Sequence, residues 1–109
     1  MSRLNPLAIL LAAAVLEAGG DALIRNGLQT SATATRLTSF ALGALVLFSY
    51  GYLVNKPAWT FGRLLGVYVV FFFVVAQVIS WLAFNQRPTA LIAIGGALIA
   101  AGGVVMSLF

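Results

Sequence analysis

Four long apolar segments constrain this chain more than any other feature of its sequence. They lie at about residues 6–24, 37–54, 64–84 and 89–108. Each is close to the roughly 20 residues that a helix needs to cross a bilayer core of about 30 Å. Within a bilayer, an α-helix satisfies its backbone polar groups inside its own segment. The sequence therefore predicts an all-α integral membrane protein, with residues 1–109 forming a single domain of four transmembrane helices.

Composition and pattern exclude the other architectures. The chain is 62% hydrophobic and 7% charged, whereas an average soluble domain is roughly 45–50% apolar. The apolar runs are continuous, while the strands of a membrane β-barrel alternate apolar and polar residues over about ten positions. The first run is longer than the core of a signal peptide, which is about 7–15 residues. It also contains Glu17 and Asp21, so we interpret it as a retained helix.

Polar and helix-breaking residues mark the predicted ends of the four helices. Pro6 opens the first helix, where its missing N–H has no helical partner to lose, and Gly27 closes it. The polar run 29–35 is predicted to form the first loop, and Asn-Lys-Pro at 55–57 to end the second helix. The turn at 85–88 is short enough to place helices three and four side by side as a hairpin.

The basic residues are divided equally between the two sides of the predicted bundle. One side, with the N-terminus and the second loop, carries Arg3, Lys56 and Arg63. The other side, with the first and third loops, carries Arg25, Arg36 and Arg87. Because an excess of Lys and Arg sets the orientation of a membrane protein, this balance predicts insertion both ways and pairing of opposite copies. The alternative is a weak bias, decided by a partner or by the positions of individual charges.

The residue types that are absent narrow the chemistry. The chain has no cysteine and no histidine, which removes disulfides, zinc sites and the usual base near neutral pH. The net charge of +4 comes from scattered basic residues, a pattern that favours anchoring at the membrane surface over nucleic-acid binding. We therefore expect no metal, no cofactor, no nucleic acid and no enzymatic reaction. Any proton chemistry falls to a carboxylate.

Glu17 is the most informative single residue, because it lies about 16 Å along a helix that begins near Pro6, and so near the bilayer midplane. A charged side chain there costs at least ~2.5–3.5 kcal/mol on insertion scales. Desolvation disfavours the charged form of a carboxylate, and a symmetry-related Glu17 in a dimer disfavours it further. We predict a site that holds protons and releases them when a cation arrives. The alternative is a neutral acid, hydrogen-bonded to Ser49 or Tyr68 only to fix helix packing.

The neighbours of Glu17 on the first helix allow two interpretations. Asp21 and Arg25 follow it at intervals of four residues, so all three share a helix face. Asp21 is either a second substrate-binding carboxylate, suited to multivalent cations such as polyamines, or the ion-pair partner of Arg25, which is the favoured alternative. Gly19 and Gly20 remove bulk beside Glu17, and we predict that at least one of them serves helix packing.

Aromatic residues supply the other candidates for a binding pocket. Tyr50, Tyr68 and Trp81 are candidates because aromatic faces attract cations. Tyr68 is preferred, since it lies about one turn inside the predicted third helix. Aromatic residues near span ends also serve as interfacial anchors, which is the role predicted for Trp59.

Five short motifs stand at particular points of the chain. In chain order they are Asn5-Pro6, Leu16-Glu17 followed by glycine and then Arg25, Gly62-Arg63 with Tyr68, Ser80-Trp81 with Gln86-Arg87, and Gly95 with Gly102. Over nearly the whole chain, this pattern resembles the small multidrug resistance superfamily of four-helix bacterial transporters. The entry to helix three is similar to that of its YnfA-like branch.

The resemblance implies a four-helix bundle that works as an antiparallel dimer in the bacterial inner membrane, as a homodimer or with a paralogue. It implies that Glu17 is the shared proton and substrate site, and that Gly95 and Gly102 form the dimer contact. The chain departs from the family in two places. Val69–Phe73 stands where transporting members carry glycines in helix three, and Tyr68 stands where they carry a binding-site tryptophan.

The sequence thus predicts proton-coupled export of small organic cations, with protons, a cationic substrate, membrane lipid and a second chain as partners. A non-transporting membrane subunit that pairs with another protein is the alternative that the bulky stretch Val69–Phe73 favours. Translocation of a lipid-linked substrate is a further alternative. An anionic head group would then require a cationic pocket, for which Arg25 is the candidate.

Overall fold

The computed structural model describes residues 4–108, where the chain forms four α-helices. They are α1 (Leu4–Gln29), α2 (Thr33–Val54), α3 (Phe61–Phe84) and α4 (Ala90–Ser107). Each is long and apolar enough to cross a membrane. The predicted all-α class and the four apolar spans are confirmed. Arg3 lies outside the described residues.

The first connection is much shorter than predicted, because both helices extend into the polar run. α1 continues through Gly27 to Gln29, and α2 begins at Thr33 rather than at residue 37. The carbonyl of Ala34, inside this run, accepts from Thr38 Oγ1 of the next turn of α2 at 2.8 Å.

Gly27 was expected to end α1, and its packing explains why it does not. A Cβ at Gly27 would lie 2.6 Å from the Phe40 ring, so glycine here lets α1 and α2 approach closely. The end of α1 is closed instead by Arg36, which donates to the carbonyls of Gly27 (3.0 Å) and Thr30 (3.1 Å). These bonds satisfy carbonyls that have no partner inside the helix.

The predicted hairpin of the last two helices is confirmed, although α3 begins at Phe61 rather than at residue 64. Asn85 adopts the left-handed conformation (φ 55°) that commonly ends helices. Its N–H donates to the Trp81 carbonyl at 3.1 Å. α4 then begins after Thr89, whose hydroxyl accepts from the Ile92 N–H at 3.2 Å.

The helices are arranged in an open layer rather than a closed bundle. Among residues 4–108, α1 packs against α2 and α3, while α4 packs against α3 alone. The spatial order is therefore α2, α1, α3, α4, and the molecule measures 49 × 34 × 20 Å. The core lies between the first three helices and consists of Leu10, Ala13, Ala14, Val54, Leu64, Val67 and Tyr68. Large apolar side chains such as Leu82 (81% exposed) face outward, as expected of a surface that meets lipid or another chain.

Glycines set the distances between neighbouring helices. A Cβ at Gly43 of α2 would lie 3.2 Å from the Gly20 carbonyl oxygen of α1, so the two backbones are nearly in contact. Between α3 and α4, Val70 packs directly on Gly103, and Phe73 packs on the glycine one heptad earlier, Gly96. The bulky stretch of α3 is thus matched by the small residues of α4.

Candidate functional site

The candidate site is built where α1 meets α3. Glu17 lies close to the middle of α1, and the small buried residues Ala14 and Ala18 on either side of it let α3 approach. Tyr68 lies seven residues after Phe61, about two turns into α3 rather than the single turn expected. Its hydroxyl donates a hydrogen bond of 2.7 Å to Glu17 Oε1.

The bond from Tyr68 is the one hydrogen bond that the side chain of Glu17 makes with residues 6–108. A carboxylate accepts at both oxygens, so Glu17 retains the capacity to bind a proton or a cation. Ser49, the other partner considered, donates to the carbonyl of Leu45 on its own helix at 3.0 Å. Of the two predicted partners, the structure brings only Tyr68 to Glu17.

Aromatic rings extend the site on both sides of Tyr68. The ring of Tyr50, from α2, stacks on that of Tyr68 with centroids 5.6 Å apart and planes inclined by 30°. Tyr68 is 3% exposed, which fixes its ring between the helices. Phe72 follows one turn later on α3, with its ring 6.2 Å from that of Tyr68. Phe72 was not among the predicted residues, although its spacing of four from Tyr68 places it on the same face.

Asp21 lies one turn beyond Glu17 and faces a different feature, which we call the α1–α3 cleft. The cleft has a volume of about 220 Å³ and is lined by Ala18, Asp21, Ala22, Arg25, Phe72, Ala76, Ile79, Ser80, Phe84 and Gln86. Phe72 lines the cleft and also neighbours Tyr68, so the cleft adjoins the Glu17 site.

The favoured pairing of Asp21 with Arg25 is not formed. Among the described residues, no basic group lies within 4.0 Å of a carboxylate oxygen. The Arg25 guanidinium lies instead over the ring of Phe84, 5.3 Å from its centroid. A cation over an aromatic face is a favourable contact, and it directs Arg25 toward α3 rather than back along α1.

Trp81 does not join Glu17 within this chain. It follows Tyr68 by thirteen residues in the same helix, which is about 20 Å along the axis. Trp81 is half exposed and lies 5.4 Å from the guanidinium of Arg87. Trp59 makes the matching contact at the other end of α3, 4.8 Å from the guanidinium of Arg63. Both tryptophans have the position of interfacial anchors.

The glycines singled out in the sequence fall into two groups. Gly20 packs against α2, which confirms the predicted packing role for one glycine of the pair, while a Cβ at Gly19 would meet nothing within 4 Å. Gly95 and Gly102 are open in the same way, although their neighbours Gly96 and Gly103 pack on α3. The predicted dimer contact at Gly95 and Gly102 therefore stays a prediction, with its surface free in the single chain.

Trp81, Gly95 and Gly102 thus lie away from the cluster formed by Glu17, Tyr68 and Tyr50. Comparison of the chain with known protein families, curated proteins and solved structures finds no match.

Proposed function

We propose that this protein exchanges protons for a small organic cation across the bacterial inner membrane, with Glu17 as the group for which the two compete. The observation that carries the proposal is the 2.7 Å hydrogen bond from Tyr68 to Glu17, made near the middle of a membrane span. It gives a carboxylate at that depth a single fixed donor and leaves acceptor capacity unused. An ionisable side chain inside a membrane span is costly in free energy, and such residues typically mark substrate or proton pathways.

The competition follows from charge. A deprotonated Glu17 in an apolar span requires a positive charge nearby, which either a proton or a cationic substrate supplies. Tyr68 donates to Glu17 and holds it in place, while the stacked faces of Tyr68 and Tyr50 provide the quadrupole that attracts a cation. Binding of the substrate then releases the proton, and binding of a proton releases the substrate.

Transport also requires access from both sides, for which we propose an antiparallel dimer of this chain or a dimer with a paralogue. Two observations support it. The basic residues are divided equally between the two ends of the bundle, and α4 presents an open row at Gly95 and Gly102. The resemblance to small multidrug resistance transporters points in the same direction.

A second candidate function is a non-transporting subunit that pairs with another membrane protein. The fit of Phe73 and Val70 into Gly96 and Gly103 favours it, because α3 and α4 are held together along their length. In that case the Tyr68–Glu17 bond serves only to fix α1 against α3.

Proton release distinguishes the two functions. Purified protein in weakly buffered detergent is titrated with guanidinium, polyamines and quaternary ammoniums, and the pH is recorded. We expect at least one cation to release protons, and Glu17→Gln to abolish the release. The substituted amide keeps an oxygen that accepts from Tyr68, so the fold is retained. No proton release from the folded protein with any of these cations, or unchanged release from Glu17→Gln, would contradict proton exchange at Glu17.

A further inference from the structure

The α1–α3 cleft holds two opposite charges that do not pair with each other. Asp21 and Arg25 both line it, and their Cβ atoms are about 5–6 Å apart, as residues four apart on a helix are. The spacing suits an ion pair, yet Arg25 lies over Phe84 and Asp21 has no basic group within 4.0 Å in the described part of the chain. The cleft thus presents a carboxylate and a guanidinium side by side, each with hydrogen-bonding capacity to spare.

We propose that the α1–α3 cleft binds a zwitterionic group, with its ammonium at Asp21 and its phosphate or carboxylate at Arg25. A carboxylate is an acceptor for an ammonium, and a guanidinium is a forked donor suited to phosphate and carboxylate oxygens. A ligand that carries only one charge would leave the other side chain uncompensated. A zwitterion satisfies both.

Gln86 also lines the cleft and can donate to the anionic group of the ligand. Ser80 Oγ donates to Gln86 Oε1 at 3.2 Å, which occupies the amide oxygen and leaves the amide NH₂ free to donate. Arg25 and Gln86 therefore offer donors from opposite walls, one from α1 and one from the turn after α3.

The other lining residues of the cleft suit a ligand with a small polar group on an apolar body. Ala18, Ala22 and Ala76 have small side chains that leave the cleft wide, and Phe72, Ile79 and Phe84 supply apolar walls. The volume of about 220 Å³ is several times the roughly 30 Å³ that a water molecule occupies. Asp21 and Arg25 are both exposed, so a ligand can enter without rearrangement of the helices.

The two sources of such a group are a soluble zwitterion and the head group of a zwitterionic lipid, and the experiment separates them. Calorimetry in a non-ionic detergent measures the affinity for phosphoethanolamine, with ethanolamine and inorganic phosphate as single-charge probes. Native mass spectrometry measures retention of phosphatidylethanolamine against phosphatidylglycerol. Retention of the lipid alone assigns the site to a lipid head group, and binding of phosphoethanolamine alone assigns it to a soluble zwitterion. Either result, or binding of both, supports the proposal.

We expect phosphoethanolamine or its lipid to bind at least about tenfold more tightly than the single-charge probes or phosphatidylglycerol. Asp21→Asn and Arg25→Gln should each weaken binding about tenfold or more. Arg87→Gln, which removes a charge at the same end of the bundle outside the cleft, should leave the affinity unchanged. Glu17 does not line the cleft, so Glu17→Gln should retain the preference for the zwitterion while it abolishes cation-induced proton release, and the two proposals can fail separately.

Three results would overturn the proposal. One is a lack of preference for the zwitterion over single-charge probes, including no binding at all. Another is an affinity that neither Asp21→Asn nor Arg25→Gln alters. The third is an equal loss in Arg87→Gln, which would assign the effect to overall charge. Gel filtration and tryptophan fluorescence check each variant for folding, and Arg25→Lys, which keeps the charge, covers the case in which Arg25→Gln does not fold.

Discussion

Tyr68 joins two roles in one side chain, since its hydroxyl donates to Glu17 while its ring packs between Tyr50 and Phe72. Tyr68→Phe removes the first role and keeps the second. It leaves the carboxyl group of Glu17 without its donor in a poorly solvated place. We therefore expect the free energy of unfolding to fall by about 1–3 kcal/mol.

The measurement for Tyr68→Phe is unfolding in mixed micelles, followed by circular dichroism. Tyr52→Phe is the matched control, because Tyr52 is 66% exposed and makes no hydrogen bond through its hydroxyl in the described structure. An equal loss in both variants would argue that the Tyr68 hydroxyl contributes nothing specific.

The sequence was sufficient to predict Tyr68 as a hydrogen-bond partner of Glu17, but not the surroundings of this pair. Glu17 is identifiable because a carboxylate in an apolar span stands out, and Tyr68 because it is an aromatic residue about one turn inside another predicted span. The separation of Asp21 from Arg25 depends on Phe84, a residue about sixty positions away whose proximity no local pattern reveals. Trp81 was grouped with the pocket by residue type, although the axial rise of α3 places it about 20 Å from Tyr68.

At the scale of the helices, the pair Gly20 and Gly43 sets the distance between α1 and α2. A Cβ added at Gly43 would lie 2.7 Å from Ile24 and 3.2 Å from the Gly20 carbonyl oxygen, and the backbone cannot give way as a side chain can. Gly43→Ala should therefore lower the free energy of unfolding by about 1–3 kcal/mol, the usual cost of overpacking.

Gly51 provides the control on the same helix, since a Cβ there meets nothing within 4 Å. Gly51→Ala should leave stability unchanged or raise it by up to about 1 kcal/mol, because alanine is the better helix former. Thermal unfolding in detergent compares the two variants. A Gly43→Ala protein as stable as Gly51→Ala would show that α1 and α2 are not in close contact in solution.

Helix ends were predicted less well than helices, and for a physical reason. The length of each apolar run determines whether it can span a membrane, so all four helices were predicted. The ends depend on where backbone groups find hydrogen-bond partners. Arg36 donates to carbonyls at the end of α1, although the sequence pattern had placed Arg36 just before the second helix. Thr33 and Thr35 were assigned to the first loop by composition, but both lie in α2.

For the whole molecule, the open row on α4 gives a direct test of association. A side chain added at Gly102 meets nothing inside the chain, so Gly102→Val should leave the single chain folded. If two chains pack along this row, the same change should raise the dimer dissociation constant roughly tenfold or more, equivalent to at least about 1.4 kcal/mol.

Chemical cross-linking and gel filtration in mild detergent measure the dimer fraction of Gly102→Val. Ala97→Val is the control, because Ala97 is exposed and lies two residues after Gly95, on the opposite side of α4 from it. A dimer that tolerates Gly102→Val but not Ala97→Val would assign the interface to the other face of the helix.

The order α2, α1, α3, α4 has a consequence for how the chain matures during synthesis. α1 with α2 and α3 with α4 are hairpins of consecutive helices, and each can close as soon as its second helix has emerged. The contact between α1 and α3 is the interface between the two hairpins. Glu17 and Tyr68 lie at this interface, one on each hairpin. We therefore expect the carboxylate to acquire its donor only when the two halves have docked, so that a half-made chain carries the acid without its donor.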